Sequence, residues 1–380
     1  MARSVLDVPL RTLRARTSAK WRAYDPDVLP LWVAEMDVMP APAVVRALAR
    51  VAETGDHGYP WGPAYPEAVA RWYDRSFGVS VDPGASQLVA DVMTGVAHAL
   101  RAVTAPGAAV VITTPVYPPF HSVVDDVGAR RVEAPLDGDG RLDLETVRAA
   151  LVEGGPGSSV LLSNPHNPTG VVHSPAELEA LLALAAEHDG HVVSDEIHAP
   201  LVLPGAGFTS VLAVPGGSRA LVVTSAAKGW NLAGYKAAVL VAGEDVRDVL
   251  RRLPASAGYQ ASHVAVLAHV AALDDGQDWL AALVGDLDAN RSLLGDLLAQ
   301  HLPQVTWRPM EATYLAWLDC SALGWPDPSR VFLEQGRVAL NRGRDFGQGS
   351  ADHVRLNLAT SPEVLVEAVE RMGRAAASAG

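Results

Sequence analysis

The strongest constraint on the fold is a series of short apolar runs, each of which is followed by a loop. The runs are rich in Val, Leu and Ile, as is typical of strands buried in a mainly parallel sheet. Helical patterns lie between several runs, and this alternation indicates βαβ crossovers and a doubly wound α/β sheet. The clearest helix follows Ser174, which is expected to form a capping box with Glu177. The six runs are SQLVADV, AAVVITTP, SSVLLSNP, HVVSDEI, ALVVTSA and YKAAVLVAG.

The pattern changes after residue 243. Three helical patterns follow one another and lead into three strand patterns and a last helix. Helices and strands that cluster in this way are typical of an α+β domain. The sequence therefore predicts a large α/β domain followed by a smaller α+β domain.

Composition excludes several classes of protein. Acidic residues outnumber basic residues, 43 against 30, and the formal net charge of the 380 residues is −13. A nucleic acid or an anionic membrane requires a basic footprint, so neither is expected as the main partner. The single cysteine, Cys320, excludes an internal disulfide framework, and the five histidines between residues 166 and 198 match no metal-binding motif. We therefore predict no bound metal. The first residues lack the apolar run of a signal peptide, and no stretch of 18 apolar residues occurs, so we also predict a cytoplasmic protein.

Ligands of open α/β sheets bind beyond the carboxyl ends of the strands, so the segments that follow each strand are the candidates for a site. Together they contain a lysine, an aspartate, an asparagine, a tyrosine ring, and hydroxyls with backbone N–H groups at a helix start. A pyridine-ring aldehyde that carries a phosphate needs all of these groups. The segments are residues 93–100, 113–120, 163–170, 194–198 and 224–236.

The sequence resembles the fold-type-I enzymes that use pyridoxal 5′-phosphate (PLP), the class I/II aminotransferases, and within them the MalY/PatB-like C–S lyases or cystathionine β-lyases. The resemblance implies a PLP-dependent transferase fold of type I, with a mainly parallel seven-stranded sheet flanked by helices. It also implies a large PLP-binding domain over residues 46–249 and a small α+β domain built from residues 1–45 and 250–380. The motifs that carry it are PLWVAEMD (30–37), HGYPWGP (57–63), TPVYPPF (114–120), NPHNPTGVV (164–172), SDEIHAPL (194–201), SAAKGWNLAGYK (225–236), EATYLAWLD (311–319) and VRLNLATSP (354–362).

The resemblance implies a role for each residue around the cofactor ring. Lys228 matches the Schiff-base lysine, an amine whose pKa must be lowered before it can attack a carbonyl and move protons. Asp195 matches the carboxylate that keeps the ring nitrogen protonated, which makes the ring an electron sink. Asn167 matches the donor to the phenolic oxygen, and Tyr117 matches the aromatic ring that stacks on the cofactor. His198 stands where aminotransferases often carry a tyrosine, and histidine there is the C–S lyase form.

The resemblance also implies residues for the phosphate and the substrate. A helix start supplies N–H groups to a phosphate, and the matching positions are Thr94, Gly95 and Val96, together with Ser225 and Lys236. Tyr59 matches a tyrosine that reaches the phosphate from the neighbouring subunit, so the expected active unit is a homodimer with shared sites, and Tyr59 joins Lys228 and Asp195 as a predicted catalytic residue. Arg355 matches the bidentate arginine that holds the substrate α-carboxylate, and Glu35 and Asn167 are further predicted substrate contacts.

The first candidate function is a C–S β-lyase that cleaves cystathionine or a related L-cysteine S-conjugate by α,β-elimination to a thiol, pyruvate and ammonia. The second is a PLP-dependent aminotransferase of the same fold, because the cofactor supports both reactions. The third is a non-enzymatic regulator that retains the fold, against which the intact Lys228, Asp195 and Arg355 argue.

Four residues depart from the usual lyase pattern and leave the substrate open. Glu35 replaces the aspartate of W-V-A-D-M-D, and Ala227 precedes the lysine where serine is common. Tyr235 and Arg342 lie in segments where smaller or differently charged residues are usual. A cysteine S-conjugate from specialised metabolism, or a substrate that undergoes amino-group transfer, is therefore an open alternative.

Overall fold

The computed structural model describes residues 4–379, and the helices and strands are numbered in chain order. The α-helices are α1 (Leu10–Arg14), α2 (Ala19–Arg22), α3 (Pro42–Thr54), α4 (Ala64–Phe77), α5 (Val92–Val103), α6 (Pro119–Asp126), α7 (Leu144–Gly154), α8 (Pro175–Glu187), α9 (His263–Asp275), α10 (Gln277–His301), α11 (Pro328–Glu334) and α12 (Pro362–Ala379). The strands are β1 (Leu29–Pro30), β2 (Ser86–Val89), β3 (Ala109–Thr114), β4 (Arg130–Pro135), β5 (Ser159–Ser163), β6 (Val192–Asp195), β7 (Leu221–Thr224), β8 (Ala238–Ala242), β9 (Thr306–Trp307), β10 (Leu315–Asp319), β11 (Val338–Ala339), β12 (Asn341–Arg342) and β13 (His353–Asn357). Short 3-10 helices occupy Pro83–Ala85, Ala199–Leu201, Val211–Ala213, Gly217–Arg219, Glu244–Arg252, Ala257–Gln260, Ser321–Leu323 and Gly343–Phe346. Within this part of the chain, no helix combines the length and apolar character that a membrane crossing requires.

The larger sheet has seven strands in the order β2-β8-β7-β6-β5-β3-β4. Strands β3 to β7 pair in parallel, whereas β8 runs antiparallel to both β2 and β7. The six apolar runs of the sequence form six of these strands, and β3, β5, β6, β7 and β8 are buried along their whole length. The mainly parallel seven-stranded sheet is therefore confirmed.

The seventh strand, β4, is not among the apolar runs. It pairs only with β3 and lies at the edge of the sheet. Its first residues, Arg130 and Arg131, are exposed, and only Val132 and Ala134 are buried. Charged side chains are common on edge strands because they discourage pairing with other chains, and they hide such a strand from a search for continuous apolar runs.

Of two helices predicted from local sequence, one forms as expected and the other forms as a 3-10 helix. The Ser174 hydroxyl accepts the Glu177 N–H, and the Glu177 carboxylate accepts the Ser174 N–H, so the predicted capping box of α8 is confirmed. The predicted helix over EDVRDVLRRL forms instead as the 3-10 helix Glu244–Arg252, which is kinked at Val246. Short 3-10 segments are common connectors, and this one joins β8 to the next helices.

The second part of the chain builds a smaller antiparallel sheet in the order β12-β13-β10-β9, and a separate parallel pair joins β1 to β11. Helices α10 and α12 share an apolar core with this sheet. Helix α9 packs instead on α3 and α4 and contributes to a core of the larger sheet. The domain division at residue 250 remains a prediction, and the packing favours a change of core about one helix later, between α9 and α10.

Helix α5 lies unusually close to the larger sheet. A Cβ atom added to Gly95 would be 2.7 Å from Cγ1 of Val223 and 3.0 Å from Cγ2 of Val89. Only glycine permits this separation, because real side-chain contacts are longer. The start of α5 is therefore held directly against β2 and β7.

Gly95→Ala is expected to lower the free energy of unfolding by about 1–3 kcal/mol, because the added methyl group overpacks a closed core. Thermal or denaturant unfolding measures this loss. Gly285→Ala is the matched control, since Gly285 is also inside a helix but has no atom within 4 Å of the added Cβ. It is expected to raise the stability by about 0.5–1 kcal/mol, and equal effects of the two substitutions would contradict the close packing.

Candidate active site

A cavity lies at the carboxyl ends of β6 and β7 and the start of α5. The position agrees with the rule that open α/β sheets bind ligands beyond the ends of their strands. Residues that line it include Ala34, Asp91, Val92, Met93, Tyr117, Asn167, Asp195, His198, Ser225, Lys228, Tyr235 and Lys236.

The sequence contains only three lysines, Lys20, Lys228 and Lys236. Lys20 is buried in an ion pair with Asp37, with 2.8 Å between Nζ and Oδ2. Lys228 follows β7 and lines the cavity, where its Nζ donates to the Ala34 carbonyl oxygen at 3.0 Å. Burial lowers the pKa of Lys228 to about 8, and the charge of Arg355 acts in the same direction. Such an amine is deprotonated far more readily than an exposed lysine, which suits it to attack a carbonyl and to move protons.

Asp195 is the last residue of β6, and its side chain is buried at the cavity. Its Oδ1 accepts the Ile197 N–H at 3.0 Å. Burial raises the pKa of Asp195 to about 7, although the Ile197 hydrogen bond and the charge of Lys228 oppose the shift. A cation placed against this carboxylate would offset the cost of burial and favour its ionised form. The site can therefore hold a protonated ring nitrogen.

Arg355 lies in β13 of the smaller sheet and is 3% exposed. Its Nη1 donates to Oδ1 of Asn167 at 2.9 Å, and its Nη2 donates to Oδ1 of Asn341 at 2.7 Å and to the Trp32 carbonyl oxygen at 3.3 Å. The guanidinium also lies over the Phe346 ring, 5.0 Å from its centroid. Burial lowers the pKa of Arg355 to about 10, so the group is still a cation at neutral pH. These contacts join the Asn167 loop of the larger sheet to a fixed guanidinium of the smaller sheet.

Two side chains with rings, Tyr117 and His198, also line the cavity. Tyr117 is half-buried, and burial raises the pKa of its hydroxyl. His198 is buried, its ring meets the Tyr314 ring edge-on with 6.4 Å between centroids, and its Nδ1 has no hydrogen-bond partner among the described residues. Burial lowers the pKa of His198 well below its usual value, so the ring is neutral at physiological pH.

The helix start of α5 differs from the sequence prediction. Gly95 donates its N–H to the Asp91 carbonyl oxygen, and Val96 is fully buried in a core, so neither lines the cavity. Thr94 is the residue that Asp91 caps, at 2.8 Å between the Thr94 N and Oδ1. Thr94, Gly95 and Val96 lie deeper in the first turns of the helix, and their contact with a phosphate remains a prediction.

The cavity wall at this helix start is formed by Asp91, Val92 and Met93. The first N–H groups of a helix have no intrahelical acceptor, and no hydrogen bond of the described residues uses those of Val92 or Met93. Lys236 is close by, with 3.3 Å between its Nζ and Oδ2 of Asp91. Two free N–H groups, a helix dipole and an ammonium group can together hold a phosphate.

Three further predicted residues have different surroundings. The Ser225 hydroxyl lines the cavity and donates to the Ala237 carbonyl oxygen at 2.8 Å. The Glu35 carboxylate accepts from the Ser18 hydroxyl at 2.5 Å, and its neighbour Ala34 lines the cavity in its place. Tyr59 is 80% exposed and does not line the cavity of its own chain. A single chain therefore does not bring Glu35 or Tyr59 to the predicted site.

Sequence reasoning missed three groups at the site. The Ala34 carbonyl oxygen accepts from both Lys228 and the Tyr314 hydroxyl, each at 3.0 Å. Asn341 fixes Arg355, as described above. A backbone carbonyl has no signal of its own in a sequence, but Tyr314 lies inside the motif EATYLAWLD and Asn341 lies in a predicted strand.

The cavity matches the parts of PLP one by one. Lys228 matches an aldehyde, the buried Asp195 carboxylate matches a cationic ring nitrogen, and the free N–H groups at the start of α5 match a phosphate. Tyr117 supplies an aromatic surface for the ring. The residues present therefore fit this cofactor.

Comparisons with known proteins agree with this fit. Residues 26–372 match the model of the family described as Aminotransferase class I and II. A Mycobacterium leprae protein provisionally named cystathionine beta-lyase is 46% identical over 393 residues, with 96% of each chain covered. Cystathionine beta-lyase PatB of Bacillus subtilis is 33% identical over 91% of this chain and 92% of its own. The crystal structure of a Corynebacterium diphtheriae protein, provisionally described as a PLP-dependent beta-cystathionase, superposes with a TM-score of 0.92 at 34% identity over 97% of this chain and 98% of that chain.

The chain belongs to the class I and II aminotransferase family and has its fold-type-I architecture. Within that family it is a PLP-dependent enzyme of the carbon–sulfur lyase branch. The predicted family, fold, cofactor and enzyme class are thereby confirmed.

Proposed function

We propose that the enzyme cleaves cystathionine or a related L-cysteine S-conjugate by α,β-elimination to a thiol, pyruvate and ammonia. The observation that carries the proposal is the half-buried amine of Lys228, which shares the cavity with the Asp195 carboxylate and is near enough to the Arg355 guanidinium to feel its charge. The charge of each of these groups acts on the pKa of Lys228. Relatives named cystathionine beta-lyase support the same reaction.

Each residue has a defined task in this proposal. PLP, when bound, supplies an electron sink for the negative charge that develops at the substrate Cα. Arg355 binds the substrate α-carboxylate as a bidentate fork. Lys228 removes the Cα proton and carries it to the leaving sulfur, so that the C–H and C–S bonds break and a thiol and an enamine form. Water hydrolyses the released enamine to pyruvate and ammonia.

Two parallel assays, one without any keto acid and one with 2-oxoglutarate, separate the candidate functions. Purified enzyme with PLP and cystathionine is expected to form pyruvate, and a panel of cysteine S-conjugates then ranks the substrates by kcat/KM. Glutamate formation from 2-oxoglutarate without pyruvate would instead support the aminotransferase. The absence of both products would refute the elimination reaction for cystathionine and for the S-conjugates of the panel.

We also propose a homodimer in the cytoplasm whose sites are shared. Tyr59 and Trp61 expose 80% and 85% of their surface, and the Tyr59 ring meets the Tyr259 ring edge-on with 6.5 Å between centroids. Neighbouring exposed aromatic rings are typical of a surface that a partner covers. This surface suits a second copy whose Tyr59 reaches the phosphate end of the cavity.

Tyr59→Phe is expected to raise the dissociation constant for PLP about tenfold or more, because one hydrogen bond to a charged phosphate is lost. Equilibrium dialysis measures the constant, and sedimentation velocity confirms that the variant is still dimeric. Tyr259→Phe is the control, since it removes a hydroxyl from the adjacent ring. Equal constants for Tyr59→Phe and the wild type would contradict the shared site.

A further inference from the structure

One short stretch of backbone connects the two halves of the site. Residues 31–37, named here the bridging segment, lie between β13 and the loop that carries Lys228. The Asn357 N–H donates to the Leu31 carbonyl oxygen, and the Asp37 N–H donates to the Ala359 carbonyl oxygen, each at 2.9 Å. The segment is therefore held along the smaller sheet next to Arg355.

The bridging segment also contacts both reactive cations through its backbone carbonyls. The Trp32 carbonyl oxygen accepts from Arg355, and the Ala34 carbonyl oxygen accepts from Lys228. These two acceptors are two residues apart in one short stretch of backbone, which bends at residues 32–34, so the segment links the positions of the two cations. A displacement of the segment would move both acceptors at once.

Two buried or half-buried asparagines fix this backbone. Asn231 accepts the Met36 N–H at 2.8 Å and donates to the Met36 carbonyl oxygen at 2.9 Å. Asn357 donates to the Val33 and Glu35 carbonyl oxygens at 2.8 and 2.7 Å. Each side-chain amide thus makes two hydrogen bonds to the backbone of the bridging segment.

Asn231 is placed to couple the segment to the lysine. It follows Lys228 by three residues in the same loop, and its φ of 56° lies in the left-handed region that asparagine tolerates better than most residues. The reciprocal pair with Met36 therefore ties the Lys228 loop directly to the backbone two residues after Ala34. At the far end, the Lys20 ammonium pairs with Asp37 and donates to the Glu35 carbonyl oxygen at 3.0 Å.

We propose that Asn231 and Asn357 are positioning residues that hold the bridging segment so that the Ala34 carbonyl aligns the free amine of Lys228 with Arg355. The proposal rests on the proposed function, in which that amine moves the proton. A carbonyl oxygen has two lone pairs, and the Ala34 carbonyl oxygen accepts one hydrogen bond from the Tyr314 hydroxyl and one from the Lys228 ammonium. The amine is therefore directed by a fixed acceptor whenever it is not bonded to the cofactor.

Asn231→Gly tests the proposal in the dimeric holoenzyme, because glycine keeps the left-handed backbone and removes both hydrogen bonds to Met36. Amide hydrogen exchange over residues 33–37 is expected to become about tenfold faster or more. The value of kcat for pyruvate formation is expected to fall roughly tenfold to a hundredfold, with a smaller change in KM, because the amine loses alignment. Asn231→Asp, which keeps the acceptor for the Met36 N–H, is expected to be intermediate in both measurements.

Asn290→Ala is the matched control. Asn290 is buried and donates to the carbonyl oxygens of Leu358 and Thr360, but it has no contact with the bridging segment. It is expected to lower the melting temperature without faster exchange at the Met36 amide, whose acceptor is Asn231. Unchanged exchange in Asn231→Gly would overturn the proposal, and so would faster exchange with an unchanged kcat.

The exchange measurement needs no substrate. A wild-type enzyme that forms no pyruvate would therefore refute the proposed function while leaving the contact between Asn231 and Met36 open to the same test. If Asn231→Gly does not fold, Asn231→Asp alone decides: wild-type exchange and wild-type kcat in that variant would overturn the proposal.

Discussion

Replacement of Lys228 by alanine is expected to lower pyruvate formation by roughly 10⁴-fold, the upper range for the loss of a positioned general base. No other lysine is placed to take over its role, because Lys20 is buried in its pair with Asp37 and Lys236 is paired with Asp91 at the start of α5. The rate of pyruvate formation under saturating cystathionine and PLP measures the effect. Addition of a small primary amine is expected to restore a fraction of the lost rate, since the missing group is an amine.

The covalent bond gives an independent measurement of the same variant. Borohydride reduction of the wild-type holoenzyme, followed by peptide mass analysis, is expected to place the cofactor on the peptide with Lys228. Lys236→Ala is the control and is expected to bind PLP more weakly while keeping the label at Lys228. Label on Lys20 or Lys236, or covalent capture of PLP by the Lys228→Ala variant, would refute the assignment.

Replacement of Arg355 by lysine is expected to lower kcat/KM roughly 10²-fold, which corresponds to the loss of about 2–3 kcal/mol of charge-assisted hydrogen bonding. The positive charge is retained, but an ammonium group cannot copy the planar fork of a guanidinium. The short amine also cannot reach Asn167, Asn341 and the Trp32 carbonyl together, so the remaining charge is poorly oriented. Steady-state kinetics with a cysteine S-conjugate measures the change.

A decarboxylated substrate analogue shows whether this loss concerns the α-carboxylate. The wild type is expected to process the analogue poorly, and Arg355→Lys is expected to change that slow rate by less than about threefold. Arg342→Lys is the control, because Arg342 is exposed and paired with Asp345 on the same small sheet. Equal losses on both substrates would show that Arg355 acts on the fold and not on the carboxylate.

The sequence predicts the fold well because buried parallel strands are continuous apolar runs. Edge strand β4 is missed because Arg130 and Arg131 interrupt that pattern. The cavity residues Lys228, Asp195 and Asn167 are found because each ends or follows a strand, and strand ends converge in a parallel sheet.

Other parts of the site depend on geometry that no residue pattern encodes. The cavity wall at the start of α5 is formed by Asp91, Val92 and Met93, because Asp91 is the N-cap of the helix, whereas phosphate contacts from Thr94, Gly95 and Val96 remain a prediction. Glu35 turns to Ser18, which only the packed structure shows. Tyr59 requires a second chain, and the Ala34 acceptor is a backbone group.

The contact between Gly95 and Val223 has a consequence for cofactor selection. It packs the start of α5 directly against β7, the strand that leads to Lys228. The cavity consequently has a fixed length between the anion-binding N–H groups and the amine. An aldehyde whose phosphate is attached through one additional methylene group would not satisfy both ends at once. The enzyme should therefore discriminate among vitamin B6 aldehydes by length as well as by charge.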